Sequence, residues 1–370
     1  MKKNLLSALL IVATVNVFAT VLTVSNQSPN PGQYTTIQAA INAATAGDSI
    51  YVHPSPNNYA PFNLDRQLTI IGNGFEPATV HPNPYSLIFG GNCNINNLNA
   101  SGSKIIGLWF YNSNISFAAA GIHDFTITRC EFTIQRTFFA ANMYNITIAE
   151  NLFYESGLHG SSASGSAAYG FLITNNVFRH SYACCSAQYP FDGWNGIVNT
   201  IVTNNLFYSG GAFGNGGADN RIAQTSSGIT FSNNIFNKVE FGSLSTSTFS
   251  NCITFGCVGN TPWINNGTDL GSVALGTQNI ANTSPDFVNQ TDINAGGYTN
   301  VNWFVVNPGS PTLSGMAGDP VMGPYGGSGA YDFRRASASS LPYVYSLTIG
   351  NPTIQAGSNL NIDVIGKKHD

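Results

Sequence analysis

A gapless repeat of short segments that end in Phe is the strongest hydrophobic pattern in the chain. In each copy, alternating apolar and polar residues lead into a mostly polar pair, and a Phe follows two residues later. These Phe residues lie 21, 25, 29 and 29 positions apart. The aligned copies are residues 128–132, 149–153, 174–178, 203–207 and 232–236.

A period of this length suits one turn of a coil built from short strands, and it is too short for helix pairs or propeller blades. Because alternate strand residues share a side, one apolar position per copy is predicted to stack along the core: Ile127, Ile148, Ile173, Val202 and Phe231. We expect the Asn shared by four copies to mark a turn, to tolerate left-handed backbone and to hydrogen-bond to the same Asn in the next coil: Asn151, Asn176, Asn205 and Asn234. Cys130 takes that position in the first copy. The unequal spacing predicts projecting loops, among them residues 157–168 and 181–196.

A short amphipathic helix is predicted ahead of the repeats. Apolar residues at helical spacing form one face, and Thr35 or Thr36 is placed to cap its start: Ile37, Ala40, Ile41 and Ala44. Alternating runs at residues 49–52 and 67–72 then predict strands. In a solenoid, such a helix covers the open apolar end of the first coil.

The two ends of the chain differ from the repeats. Residues 1–19 combine Lys2 and Lys3, an apolar stretch and the small-residue ending Val17-Phe18-Ala19, which predicts a signal peptide cleaved near Ala19. No later apolar run is long enough to span a membrane. We therefore expect a secreted, extracellular or cell-surface protein.

The repeat fades after residue 260, and a Ser- and Ala-rich linker begins at residue 336. Two alternating runs follow, at residues 345–349 and 360–364. Two strands are too few for an independent domain, so they are predicted to dock on the solenoid or to serve attachment. The predicted organisation is a signal peptide at 1–19, a β-helix at 20–335, and a linker with a strand pair at 336–370.

Composition narrows the class of partner. Charged residues make up 8% of the chain, aromatic residues 12%, and Gly numbers 39, which fits turn-rich β-structure rather than disorder. Without Lys2 and Lys3, 13 − 2 = 11 basic residues face 17 acidic ones, a net charge of −6. This balance argues against a nucleic-acid partner or an anionic membrane surface.

Six cysteines in an exported chain allow disulfides, and Cys252 and Cys257 are spaced to close a small loop. The alternative is a zinc site, but neither the CxxC spacing nor nearby His pairs are present. No metal ligands and no cofactor are therefore assigned, and bound Ca²⁺ stays open.

Three regions of the sequence resemble the pectate-lyase-like right-handed parallel β-helix proteins. They are residues 36–72, with Thr36-Ile37-Gln38-Ala39-Ala40-Ile41 and Gly47-Asp48-Ser49-Ile50-Tyr51-Val52, the Asn-Asn-apolar-Phe repeats, and Gly323-Pro324-Tyr325-Gly326-Gly327. The resemblance covers roughly residues 33–333. It implies an all-β single solenoid with a short N-terminal helix, and it leaves activity open, because that superfamily includes lyases, hydrolases, epimerases and proteins without catalysis.

The motifs of the family's hydrolases are absent, and Leu158-His159-Gly160 is a partial echo of one. A lyase needs a positive group for the uronate carboxylate and a base for the α-proton. The two positions after the repeated Phe supply such groups in adjacent coils, and Trp194 is expected to fold over them. The predicted catalytic residues are Glu155, His180 and Arg179, and the predicted substrate-binding residues are Tyr154, Tyr208 and Trp194.

A purely structural interpretation stands beside this one. Arg179 could pair with Glu155, and the two tyrosines could form a stacking ladder. Arg129 and Glu150 are predicted to form an ion pair between coils. The seven basic residues of the solenoid are scattered, which weakens the case for a highly acidic substrate: Arg66, Lys104, Arg129, Arg136, Arg179, Arg221 and Lys238.

Two functions remain open from the sequence. The first is a secreted β-helix protein that binds polysaccharide on one face and, if it is an enzyme, cleaves it as a lyase rather than as a glycoside hydrolase. The alternative is a non-catalytic surface protein or adhesin that uses the solenoid as a rigid scaffold.

Overall fold

The structure, a computed structural model, describes residues 19–27, 32–74, 85–160, 170–180, 189–194, 199–209, 221–257, 274–275, 278–294, 304–315, 317–327, 343–349 and 362–367. Three long sheets of parallel strands dominate these residues. In successive coils the chain passes through sheet A, sheet B and sheet C in turn. Crossovers between parallel strands are right-handed, and the chain is a right-handed parallel β-helix, as predicted.

The strands are numbered in chain order, and neighbours within each sheet follow one another along the solenoid axis. Sheet A consists of β1 (Val21–Val24), β2 (Ser49–Val52), β4 (Thr69–Ile71), β7 (Lys104–Ile106), β10 (Thr126–Thr128), β13 (Thr147–Ala149), β16 (Leu172–Thr174), β19 (Ile201–Thr203), β22 (Thr230–Ser232), β25 (Thr248–Ser250) and β27 (Ala274–Leu275). Sheet B consists of β5 (Leu87–Phe89), β8 (Trp109–Tyr111), β11 (Glu131–Thr133), β14 (Leu152–Tyr154), β17 (Val177–His180), β20 (Leu206–Ser209), β23 (Ile235–Asn237) and β26 (Ile253–Phe255). Sheet C consists of β3 (Asn63–Leu64), β6 (Asn92–Ile95), β9 (Asn114–Phe117), β12 (Arg136–Phe138), β15 (Gly157–His159), β18 (Phe191–Asp192), β21 (Arg221–Ser227) and β24 (Glu240–Ser245).

The repeated Phe residues form a stack inside the solenoid. Neighbouring rings along sheet B are nearly parallel, with centroids 4.6 to 5.1 Å apart: Phe110, Phe132, Phe153, Phe178, Phe207 and Phe236. The predicted apolar row of sheet A is confirmed, because its members pair in register and are buried: Ile127, Ile148, Ile173, Val202 and Phe231. Aromatic stacking and apolar burial thus hold successive coils together.

The predicted Asn ladder is confirmed at the turn between sheets A and B. The side-chain oxygens of Asn176, Asn205 and Asn234 each accept hydrogen bonds from the backbone and side-chain nitrogens of the preceding ladder Asn, at 2.9 to 3.0 Å. The side-chain oxygen of Asn151, the first member of the ladder, accepts from the Cys130 amide at 2.9 Å. The backbone part of the expectation was wrong, because the left-handed residue is the one before each ladder Asn: Glu150, Asn175, Asn204 and Asn233. The turn and the ladder are therefore served by different residues of the pair.

The N-terminal helix α1 (Ile37–Ala43) is confirmed, with Thr36 as its N-cap. The Thr36 hydroxyl accepts a hydrogen bond from the Ala39 amide at 3.1 Å. The helix buries Ile37, Ala40 and Ile41 and contacts β1 and β2. Sequence reasoning missed strand β1, which precedes the helix and extends sheet A by one strand.

The chain beyond the repeats returns over the outer face of sheet B. This return segment comprises the described residues between 278 and 327, with helix α2 (Gln290–Asn294) and a short 3₁₀ helix at Pro311–Leu313. Its apolar side chains form one buried cluster with outward-facing residues of sheet B: Leu152, Val177, Leu206, Tyr208, Ile235, Ile253, Phe287, Ile293, Phe304 and Met322.

The return segment is fixed along the turn between sheets A and B by side-chain amides. Asn204 donates to the Val321 carbonyl at 3.0 Å, and Asn233 donates to the Asp319 carbonyl at 2.9 Å. Gly323, at φ +83°, lies directly on the Ile235 side chain, where a Cβ would collide. The outer face of sheet B from β14 to β26 is therefore covered by the return segment of the same chain.

The predicted disulfide between Cys252 and Cys257 is wrong, since both thiols are free. Cys252 Sγ lies 3.3 Å from the Ser250 carbonyl oxygen, and Cys257 Sγ lies 3.4 Å from that of Phe236, so each thiol has its own backbone acceptor. Cys184 and Cys185 lie outside the described residues. Among the residues that the structure describes, no helix is both long and apolar enough to cross a membrane.

Near the C-terminus, β28 (Tyr343–Ile349) and β29 (Ile362–Lys367) pair antiparallel with each other. The predicted role of this pair in docking or attachment stays a prediction, as do the predicted domain boundaries. Residues 1–18, which contain nearly all of the predicted signal peptide, lie outside the described residues.

Candidate functional site

The row of residues predicted on the outer face of sheet B is formed in register. Tyr154 pairs with Arg179, and Arg179 pairs with Tyr208 in the next coil. The Arg179 guanidinium carbon lies 4.1 Å from the centroid of the Tyr154 ring, which is cation–π geometry. The repeat alignment thus placed these three side chains correctly as neighbours.

Two of the predicted substrate-binding residues are packed inside the molecule. Tyr208 is fully buried, and its ring lies 5.4 Å from that of Phe304 in the return segment. Trp194 is also buried, and its indole nitrogen donates to the Leu158 carbonyl at 2.7 Å. The expectation that Trp194 covers the outer face is wrong, because its ring packs edge-on against core rings: Phe139, Phe171 and Phe191.

The predicted pair Glu155 and His180 lies at the corner where the chain leaves sheet B for sheet C. Glu155 has left-handed backbone, at φ +49°, and its amide donates to the Arg179 carbonyl at 3.0 Å. The Glu155 residue is 4% exposed. The backbone of His180 pairs with Ser209, but its side chain lies outside the described part of the structure. A catalytic role for either residue stays a prediction.

A cluster that the sequence did not predict lies on the outer face of sheet C. We call Arg136, His159 and Asp192 the sheet C cluster. Nδ1 of His159 lies 3.4 Å from Nη1 of Arg136 and 3.4 Å from Oδ2 of Asp192. His159 and Asp192 pair in register, whereas Arg136 is in register with Gly157.

Local sequence explains how Arg136 reaches the other two residues of the sheet C cluster. Gly157 presents no side chain in the coil next to Arg136, and the Tyr189 carbonyl occupies the space where a Cβ would stand. Because Gly157 leaves its outward position without a side chain, the long Arg136 side chain extends across that position toward His159. A larger residue at 157 would displace the chain at Tyr189.

Burial dominates the electrostatics of the sheet C cluster. Desolvation, and secondly the positive charge of Arg136, lower the pKa of His159 from its ordinary 6.5 to about 3. The pKa of Arg136 is also lowered by burial, against the opposing effect of Asp192 and Tyr189. His159 is therefore neutral near pH 7, and its buried Nε2 has no hydrogen-bond partner among the described residues.

The surroundings of the sheet C cluster add a second cation and an aromatic ring. Nη2 of Arg221 donates to the Tyr189 hydroxyl at 3.0 Å. Phe138, in register with His159, is 38% exposed, and the two ring centroids are 5.4 Å apart. Two of the basic residues expected to be scattered therefore converge near Tyr189. Together these groups suit a ligand with hydroxyl groups, a flat apolar face and negative charge.

Ca²⁺ does not suit the sheet C cluster. Ca²⁺ takes six to eight oxygen ligands, whereas the cluster combines one carboxylate with an imidazole and a guanidinium. Within the described ranges, no group of three or more His, Cys, Asp or Glu side chains is placed to hold a metal ion.

Two residues of the sheet C cluster, His159 and Asp192, lie in stretches that the sequence predicted to be loops. Residues 157–168 and 181–196 were expected to project, but strand β15 begins the first of these stretches and strand β18 lies in the second. Longer connections precede β18 and β21, so the gapless alignment does not extend to Asp192, whereas β12 and β15 both begin four residues after the repeated Phe. The one signal present was Leu158-His159-Gly160, which contains the central residue of the cluster.

Comparisons with known proteins add little to this geometry. No family model matches the chain, and no curated protein matches it. Among solved structures, the chain is similar to pectate lyase Pel9A, with a TM-score of 0.35 and 11% identity over 80% of this chain and 92% of the other. The β-helix that the sequence resemblance implied is confirmed, and it rests on the three parallel sheets themselves.

Proposed function

We propose that this protein is exported and binds a polysaccharide on the outer face of sheet C. The observation that carries the proposal is the buried His159 side chain, whose Nε2 lacks a hydrogen-bond partner among the described residues. A sugar hydroxyl both donates and accepts, so it would satisfy Nε2 in either tautomer once the groups that cover this atom move aside. The exposed ring of Phe138 beside it offers a stacking surface for a pyranose.

The two guanidinium groups near Tyr189 extend the proposal to acidic sugars. Arg136 and Arg221 would face a carboxylate in planar, forked geometry, which guanidinium groups favour. The proposed partner is therefore a polysaccharide with hydroxyl groups and some carboxylate groups. This differs from the expectation based on scattered basic residues, because the fold brings these two together.

Cleavage as a lyase is the second part of the proposal. β-Elimination needs a base to take the α-proton. His159, with its pKa lowered to about 3, is a weak base without ligand, so the cluster supports binding better than proton abstraction. Glu155 and His180, at the adjoining corner, and Arg179 therefore stay the proposed catalytic group.

The test of binding uses the full-length mature chain and a panel of neutral and uronic-acid polysaccharides, measured by affinity electrophoresis and calorimetry. We expect retention by at least one acidic polysaccharide. The variants Phe138→Ala and Arg136→Gln should each weaken this binding by about tenfold or more. Absence of binding across the panel would contradict the proposal.

Tyr144→Ala is the matched control, because Tyr144 is 39% exposed and lies outside the sheet C cluster. It should bind like the wild type. Cleavage is followed by the ultraviolet absorbance of unsaturated uronide products. A rise in absorbance that disappears in Glu155→Gln or His180→Ala would support lyase activity. A flat absorbance trace with intact binding would mean that the protein binds the polysaccharide without cleaving it.

One observation favours the rival function, a non-catalytic surface protein with a rigid solenoid. The return segment buries Leu206, Tyr208 and Ile235, and so removes part of the sheet B face from any ligand. Under this alternative, residues 336–370 serve attachment. Cell fractionation tests it, because deletion of those residues should release the protein from the cell surface while glycans fail to bind.

A further inference from the structure

The outer face of sheet B at β5 and β8 carries a row of aromatic rings, of which Phe89 is exposed and Tyr85 packs against the return segment's cluster. Phe89 is 46% exposed and stacks on Tyr111 with centroids 5.8 Å apart. Tyr111 meets Trp109 edge-on at 5.8 Å, and Trp109 meets Tyr85 edge-on at 4.6 Å. These rings come from neighbouring coils and form a continuous aromatic strip.

A buried carboxyl group lies beside this strip. Glu131 is 7% exposed, although it points outward from sheet B. The indole nitrogen of Trp109 donates to the Thr133 hydroxyl at 2.9 Å, and that hydroxyl donates to Oε1 of Glu131 at 3.3 Å. Because the indole reaches Thr133 in the next coil, it covers the space beside Glu131.

Glu131 breaks the pattern of the repeat. The other copies hold an apolar residue at this position: Leu152, Val177, Leu206 and Ile235. A carboxyl group here costs desolvation that an aliphatic side chain would avoid. Among the residues that the structure describes, no group hydrogen-bonds to its second oxygen, so one polar atom is left for a ligand.

The protonation state of Glu131 follows from this environment. Burial raises its pKa from 4.5 to about 7, and the Thr133 hydrogen bond opposes the rise. The strands packed against it contribute the titratable groups Tyr111 and Tyr154, and no cation contributes to the shift. Below neutral pH the carboxyl is protonated and its O–H can donate a hydrogen bond.

We propose that this surface is a second carbohydrate subsite, which takes an uncharged sugar: Phe89, Trp109, Tyr111 and Glu131. The rings supply the apolar platform, and the protonated carboxyl of Glu131 donates to a sugar oxygen. A purely apolar partner would leave the second oxygen of Glu131 buried without a hydrogen bond, which is unfavourable. The subsite shares its ligand class with the proposed function but rests on different residues.

The absence of a contributing cation distinguishes this subsite from the sheet C cluster. At the sheet C cluster, Arg136 and Arg221 favour a carboxylate. A carboxylate beside Glu131 would instead bring two acidic groups together without a compensating charge. The subsite is therefore selective for neutral over acidic oligosaccharides.

The test is isothermal titration of the full mature chain with neutral gluco-, manno-, xylo- and galacto-oligosaccharides, at about pH 5 and about pH 9. We expect binding at the lower pH that weakens about tenfold at the higher pH, where the donor is lost and a buried charge appears. Glu131→Gln keeps a hydrogen-bond donor but does not titrate, so this variant should bind the sugar equally well at both pH values.

Phe89→Ala is a second variant that removes an exposed ring without disturbing the core, and it should weaken binding about tenfold. Tyr144→Ala, which lies outside both surfaces, should leave binding unchanged. The proposal is overturned if no neutral sugar binds, if Glu131→Gln keeps the pH dependence, or if Phe89→Ala changes self-association in sedimentation instead of sugar binding.

Discussion

Glu131 on the outer face of sheet B and His159 on the outer face of sheet C are both buried, and their pKa values respond to burial in opposite directions. Burial raises the pKa of Glu131 to about 7 and lowers that of His159 to about 3. Both groups are consequently neutral in the range between those values. Coils about 4.8 Å apart let long side chains of one coil cover the next, so an outward position on a solenoid need not be wet.

The difference between the two faces lies in the charges around each group. His159 stands between Arg136 and Asp192, whereas Glu131 contacts the uncharged Thr133. The sheet C face can therefore meet a charged ligand, and the sheet B face can meet a neutral one. Each group stabilises the fold only when it is neutral. Acid should therefore destabilise the protein through His159 on the sheet C face, and alkali should destabilise it through Glu131 on the sheet B face.

The largest expected effect comes from His159→Asn. A folded pKa of about 3 against the ordinary 6.5 means that stability from this group is fully present above pH 6.5 and is lost as pH falls through 3. By linkage, the wild type should lose about 5 kcal/mol over this range through His159. The variant should lack that loss.

Urea unfolding of wild type and variant over a pH series measures this, and the comparison of slopes removes any constant packing penalty of the substitution. Asp48, whose pKa is lowered to about 2, contributes to acid unfolding equally in both proteins, so its contribution cancels in the comparison. Parallel stability curves from pH 7 to pH 3 would contradict the prediction.

Glu131→Gln is expected to show the opposite pH dependence with a smaller size. The folded pKa of about 7 exceeds the ordinary 4.5, so stability from this group is fully present below pH 4.5 and is lost as pH rises through 7. The loss is about 3 kcal/mol. Above pH 7 the Gln variant should gain on the wild type by that amount in urea unfolding, and an equal response of both proteins would show that Glu131 is solvated.

A smaller effect is expected where a cation on the sheet B face has an aromatic partner. Tyr154→Leu removes the ring below the Arg179 guanidinium and should lower the free energy of unfolding by about 1 kcal/mol beyond the loss in Tyr154→Phe, which keeps the ring. Thermal and urea unfolding of both variants measure the difference. Equal stability of the two would mean that the guanidinium gains nothing from the ring.

Features that repeat locally were predictable from the sequence. The Phe stack, the Asn ladder and the order of Tyr154, Arg179 and Tyr208 follow from segments that align without gaps. Each coil repeats the same backbone path there, so equal spacing in sequence becomes vertical stacking in space. The fold class followed from that periodicity.

Features that depend on distant contacts were not predictable. Phe304 buries Tyr208 from almost one hundred residues further along the chain, and no local pattern indicates that return. The sheet C cluster was missed because the longer connection before β18 displaces Asp192 in the alignment. Glu131 was visible as a carboxylate at an apolar position of the repeat, but its burial depends on the reach of Trp109 across coils.

The ion pair of Arg129 and Glu150 was predicted from the same alignment and is confirmed, with a nitrogen–oxygen distance of 2.7 Å. It should give the smallest effect, because both side chains keep contact with solvent, at 23% and 15% exposure. A double-mutant cycle with Arg129→Gln and Glu150→Gln should yield a coupling of about 0.5 to 1 kcal/mol, reduced by salt.

The double variant Arg129→Asn with Glu150→Asn sharpens that measurement. Both positions have left-handed backbone, at φ +57° and +60°, and later copies of the repeat hold Asn there. Asn adopts this conformation more readily than Arg or Glu, so the backbone gain should offset the lost ion pair. We expect a stability within about 0.5 kcal/mol of the wild type. A loss well above 1 kcal/mol would mean that this ion pair, unlike most exposed ones, holds the two coils together.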